Sequence, residues 1–196
     1  MNIAKIVSSN SHIDYVARVI DALDCDDPPA ASDHCFGQFV SLPRDAQNVI
    51  GIIYDSRLVN PEYGSFGPRL SPRPALGNFS PDYINEQGIL IGILLLGTID
   101  QTGKTTHGVP PQIVPAGQDV ASIDSEEVNQ FHSDGDGRVH LHYYSQVVAN
   151  AGQFAIPLLD SIIDQLSAGC SDVEARRLRV LKQSLVWQGT FGGMKL

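Results

Sequence analysis

Six short runs rich in β-branched and apolar residues, over 3–8, 15–23, 37–42, 49–55, 89–99 and 119–123, fill the first two-thirds of the chain, each bounded by Gly, Pro, Asn or Asp clusters. Strand-forming runs at this spacing, with hardly any helical periodicity between them, restrict this part of the chain to an all-β unit. A flat sheet of so many short strands would leave two open edges, whereas a small closed or partly open antiparallel barrel removes them. Between the fourth and fifth runs lies a long connection, 61–88, with five prolines and several glycines. Connections of that length inside a compact domain carry function or move. Its Arg69 and Arg73 are candidates to grip an acidic partner.

After Asp124 the pattern changes. Tyr144, Val147, Val148, Ala151, Phe154, Ala155, Leu158, Leu159, Ile162, Ile163 and Leu166 recur at three- and four-residue spacing, the stripe of an amphipathic helix with a wide apolar face. Pro157 either kinks this helix or sits near the start of a fresh one, since proline lacks the amide hydrogen and clashes with the preceding turn. Gly169 ends the stripe, and Ser171-Asp172-Val173-Glu174 has the spacing of a capping box for a last helix carrying Leu178, Leu181 and Leu185. The expected fold class is therefore α+β: a small antiparallel β-barrel over 1–125, a polar linker over 126–142, a C-terminal helical hairpin over 143–190 and a loose end over 191–196.

Composition removes several functions. The formal net charge is −9, which disfavours a surface that coats nucleic acid, because affinity for phosphates rests on clustered Lys and Arg. The only dense basic cluster is Arg176, Arg177, Arg179 and Lys182 on the last helix, read first as a solvated face and second as a partner contact. Nucleic acid is thus expected only indirectly, through a partner. Three cysteines, Cys25, Cys35 and Cys170, form no C-x-x-C pair and are odd in number, which argues against a disulfide framework and for a reducing compartment. The first residues lack a signal-peptide pattern, and the longest apolar run, 89–96, is too short to span a bilayer. A cytoplasmic protein is expected.

One stretch imitates a phosphate-binding loop. Gly97-Thr98-Ile99-Asp100-Gln101-Thr102-Gly103-Lys104-Thr105 follows an apolar strand, but it has five residues between its glycines where the working loop has four. That loop must also open a helix, whereas Gly108 and the Pro110-Pro111 pair follow at once. The best run for a magnesium-binding aspartate, ending at Asp55, comes before this stretch, the wrong order for such an ATPase. It reads as a turn between late strands, and no cofactor is expected.

Metal-ligand residue types cluster in Phe131-His132-Ser133-Asp134-Gly135-Asp136-Gly137-Arg138-Val139-His140-Leu141-His142. If 139–143 is a strand, His140 and His142 point to one face, and His132 or Asp134 completes a site for one ion. A calcium loop is rejected, because the position needing a bidentate Glu is Tyr143. The competing reading is a polar linker whose histidines pack or face solvent. No G-x-S-x-G elbow is present and the cysteines have no catalytic signature, so no catalytic residue is assigned.

Taken in order, Lys5-Ile6-Val7-Ser8-Ser9, Phe36-Gly37-Gln38-Phe39-Val40, Val49-Ile50-Gly51-Ile52-Ile53-Tyr54-Asp55, Asn60-Pro61-Glu62-Tyr63-Gly64 and the segment from His107 through Pro110-Pro111 to Val120 resemble the HAS-barrel family. That barrel is shared by HerA-type DNA-translocating ATPases and ATP synthase headpiece subunits. The resemblance covers 1–125 and implies a barrel that helps hold subunits together, here in a stand-alone form without the ATPase domain. The first functional expectation is accordingly a non-catalytic assembly or protein-interaction module, associating with itself or with an ATPase-type or DNA-processing partner. The alternative is a metal-binding protein or metal-dependent hydrolase using His132, His140 and His142.

Overall fold

A computed structural model describes residues 1–44, 47–60, 88–133 and 137–192, with side chains as far as Leu185. The expectations placed on loop 61–87, on Arg69, Arg73 and Asp134, and on 193–196 lie outside the described residues.

Seven strands form: β1 (Asn2–Ser9), β2 (Asp14–Val19), β3 (Phe39–Leu42), β4 (Gln47–Val59), β5 (Gly88–Asp100), β6 (Thr105–His107) and β7 (Asp119–Ser122). They pair antiparallel in the order β2-β1-β7-β3-β4-β5, and β2 pairs β5 through Asp14↔Leu94 to Arg18↔Leu90, which closes a six-stranded barrel. β6 is a further strand laid on the end of β5. Six of these strands coincide with the sequence expectation; β6 does not, because three residues of Thr and His carry no apolar alternation to announce them.

Two bulges in the β4–β5 ladder, the first leaving Leu96 of β5 unpaired opposite Ile50/Gly51 and the second leaving Tyr54 of β4 unpaired between Ile53 and Asp55, add the local bend and twist that a barrel this small requires. Gly51 lies at the first. A Cβ there would stand 2.7 Å from the Ile93 side chain on the neighbouring strand, too close for any larger residue.

The remaining chain folds into α1 (Ser125–His132), α2 (Tyr144–Asn150), α3 (Ala155–Gly169) and α4 (Asp172–Gly192). Asp124 caps α1, accepting hydrogen bonds from the Glu126 and Glu127 amides at 2.9 Å each. This helix overlaps the segment expected as a polar linker; it is short and polar overall, with only Val128, Phe131 and His132 buried. Pro157 is the third residue of α3, in the first turn, where its missing amide hydrogen leaves no helix bond unmade. Ser171 accepts from the Glu174 amide, as a cap should, while the Glu174 carboxylate turns to the Val139 amide at 3.3 Å instead of closing the box.

α3 and α4 form the expected hairpin, clamped by Lys182 against Asp160 and Asp164. The apolar stripe of α3 is covered within the chain. Leu158, Leu159, Ile162, Ile163 and Leu166 are buried in the same hydrophobic cluster as the barrel residues Phe39, Ile52 and Leu94. This explains why β3 is buried at every position and β4 along 49–54: one face lines the barrel and helices cover the other. Gln165 donates to the Gly37 carbonyl at 2.7 Å and Gln146 donates to the Leu95 carbonyl, tying α3 and α2 to the barrel wall.

The phosphate-loop imitation is a hairpin turn. β5 runs to Asp100 and β6 starts at Thr105. The Asp100 carboxylate accepts from the Thr102 amide and hydroxyl and from the Lys104 amide, at 2.6 to 3.0 Å. These bonds, the Thr102 hydroxyl first, hold the Asp100 carboxyl below the usual carboxylate range. Two of the amide groups that would cradle a phosphate therefore already hold an anion, and a strand rather than a helix follows.

Candidate functional site

The histidines singled out by the sequence converge on a feature the sequence did not single out, His107 of β6. Its ring centroid lies 5.8 Å from His132, 5.5 Å from His142 and 5.2 Å from Tyr143. His140 and His142 approach to 4.9 Å. A cleft of about 350 Å³ opens here, lined by Thr105, His107, Phe131, Ser133, His140 and His142, with His132 at its floor. No strand spans 139–143; Val139 makes one isolated bridge to Ser133, and the two imidazoles meet because the chain turns into α2.

Hydrogen bonding assigns the buried tautomers. His132 Nδ1 stands 2.6 Å from the Val128 carbonyl, which can only accept, so Nδ1 carries the proton. Nε2 is left as an acceptor and takes the Tyr143 hydroxyl at 2.6 Å. His107 has the opposite tautomer: Nε2 donates to the Phe131 carbonyl at 2.8 Å, and Nδ1 accepts the His142 amide at 3.3 Å.

Burial pushes the His132 imidazole down to about 4. Burial also lowers His107, reinforced by the neighbouring His142 and His140. Tyr143, wholly buried, has its hydroxyl pushed well up by loss of water.

Both nitrogens of His132 are thus committed to protein groups, and both of His107 are as well. Among the described residues, no three or more His, Cys, Asp or Glu side chains are grouped so as to hold a metal ion. What the cluster does in the fold is join β6, the end of α1 and the start of α2. Its clearest member is the Val128–His132–Tyr143 chain of hydrogen bonds, enclosed by Phe39 and Phe131. Tyr143 and His107 had a faint signal in the sequence: they are the polar aromatic residues flanking the His132 to His142 cluster in space, but 25 residues separate His107 from His132 along the chain.

The basic residues of the last helix separate from this cleft. Arg176, Arg177 and Arg179 are exposed on α4, Arg177 pairing with Glu174 at 3.4 Å.

A second feature is the outer half of β4. β3 covers β4 only along 49–52, with Gly37 and Gln38 extending the backbone bonding to Ile53. Beyond the second bulge, Asp55 to Val59 pair with β5 alone among the described residues. Among the described residues nothing pairs with the backbone groups on the far side of these five, which there form an open strand edge. The Ser56 amide is met by the Asp55 carboxylate at 2.9 Å, Arg57 pairs with Asp55 at 3.3 Å, and Leu58 is 83% exposed. Tyr54, at the bulge, is anchored inward by donating to Asp14 at 2.8 Å; burial and this bond raise its hydroxyl far above the usual tyrosine range.

A family model described as a domain of unknown function (DUF8166) matches residues 1–195. The chain belongs to that family. Its match runs through barrel and helices alike, so the DUF8166 unit includes both the His107–His132–Tyr143 junction and the open β4 edge. No curated protein matches the sequence. Among the described residues of this DUF8166 member, no helix is long and apolar enough to cross a membrane, and Cys25, Cys35 and Cys170 are free.

Proposed function

We propose that this chain is a non-catalytic assembly or protein-interaction module that works in the cytoplasm and docks its partner along the open edge of β4. The observation that carries this reading is the edge itself. An otherwise closed barrel, buried on both faces along β3 and the first half of β4, leaves Asp55 to Val59 unpaired on one side among the described residues and presents Leu58 to solvent. Strand addition to such an edge gains main-chain hydrogen bonds, with side chains on alternate positions supplying selectivity. The apolar stripe of α3 is covered within the chain, which supports a surface on the barrel rather than on that stripe. The resemblance of 1–125 to HAS barrels supports an ATPase-type or DNA-processing partner.

Ser56→Pro tests the reading. Proline removes an amide hydrogen that, among the described residues, meets only a neighbouring carboxylate, so the barrel keeps its pairing while the edge can no longer accept a strand. Affinity recovery from extracts of the protein's own cells is expected to yield a partner with the natural chain and to lose it with Ser56→Pro. Identical recovery by both chains places association elsewhere and contradicts the proposal.

A further inference from the structure

We infer that the open β4 edge pairs with the same edge of a second copy of this chain, in antiparallel register about a twofold axis at Ser56. This rests on the interaction reading above and names the partner.

The charge pattern selects both partner and register. Asp55 and Arg57 are two residues apart on one strand and so project from the same face of the ribbon. In an antiparallel pair centred on Ser56, each Asp55 lies opposite the other copy's Arg57, giving two cross-strand ion pairs at once. Centring the axis on Asp55 or on Arg57 sets like charges directly opposite, which is destabilising. The edge is therefore complementary to itself in one register and repels itself in the adjacent two. Within a single copy, Arg57 already reaches Asp55 at 3.3 Å, with the Arg57 side chain 69% exposed, so pairing exchanges an exposed contact along one strand for two across strands. The same exchange frees the Ser56 amide from the Asp55 carboxylate for the facing strand. Leu58 lies on the opposite face from Asp55 and Arg57 and loses exposure beside the second copy.

Five residues a side make a small interface, which places the equilibrium in the weak, concentration-dependent class. Sedimentation velocity on the full chain, across roughly 1 to 200 µM, is expected to show monomer passing to dimer. Asp55→Arg and Arg57→Asp each set like charges opposite in both pairs, and each is expected to weaken dimerisation by about tenfold or more. The double variant Asp55→Arg/Arg57→Asp reverses both signs and restores it. An equimolar mixture of the two single variants restores it too, because one chain then presents cations at both positions and the other presents carboxylates at both; this recovery also requires both variants to be folded.

A natural chain that stays monomeric across that range overturns self-pairing, as do single variants that dimerise like the natural chain or a mixture that stays monomeric. The interaction reading fails separately. A monomeric chain that recovers a cellular partner sensitive to Ser56→Pro refutes the twofold pair and leaves that reading standing, whereas a dimer insensitive to Ser56→Pro and to both charge reversals refutes the two together.

Discussion

Lowering the pH from 7 to 4 is expected to remove about 3 kcal/mol of folding stability through one side chain, His132. Its imidazole has an ordinary value of 6.5 in the unfolded chain and about 4 in the fold. Between these values the unfolded state binds the extra proton and the folded state does not, so stability falls as pH falls. The contribution is complete above 6.5, declines through the interval, and is gone below about 4. The structural reason is the direction of two hydrogen bonds. Nδ1 already donates to the Val128 carbonyl, and a second proton on Nε2 would confront the Tyr143 hydroxyl that now donates to it, in a site closed to solvent. His107, lowered by burial, acts in the same direction.

Urea unfolding at a series of pH values measures this, with His132→Leu as the reference. That variant keeps an apolar side chain in the site but strands the Tyr143 hydroxyl, which costs about 1–3 kcal/mol at pH 7. It also removes the titration, so its stability is expected to fall less steeply than that of the natural chain between 6.5 and 4. Parallel pH profiles for the two chains would show that the His132 environment is not as described.

The second large effect is expected from Ile162→Ala. Ile162 lies on α3, is fully buried, and belongs to the one hydrophobic cluster that runs from barrel to helices. Removing its outer carbons leaves a cavity that the surrounding barrel wall and helices cannot fully close, at about 2–5 kcal/mol. The manner of unfolding matters as much as the size. Protection of the α3 and α4 amides from hydrogen exchange follows the helices, while far-ultraviolet dichroism is weighted across the chain. Both signals should move together to lower urea, as one cooperative unit. Two separated transitions, with only the helix-amide one shifted, would make the helices an appendage to an independently folding barrel.

Most of the fold could be read from the sequence because it is written in short-range patterns. The strand runs are apolar and bounded by turn residues, and the α3 stripe and the Gly169–Ser171 boundary are local signals. β6 and α1 escaped because each is short and held by partners distant in sequence: Thr105 to His107 by β5, and α1 by an Asp124 cap and contacts to Phe39 and His107. The cluster around His132 was visible as composition but not as chemistry. Which imidazole nitrogen donates and which accepts depends on Val128, Phe131 and Tyr143 carrying the opposite ends of the hydrogen bonds, and residue type and spacing do not encode that. The open β4 edge was hidden for a related reason. The run over 49–55 ends where the edge begins: β4 continues to Val59, and only the restriction of β3 pairing to 49–52 exposes that continuation.

The central claim, that the chain associates through the outer half of β4, is tested most directly by amide hydrogen exchange compared at low and high protein concentration. Amides within 55–59 that point away from β5 are expected to exchange readily when dilute and to gain protection when concentrated, while those of 49–53, already bonded on both sides, stay unchanged. Protection over 55–59 that is the same at both concentrations, with new protection appearing on α4 or elsewhere, would contradict it.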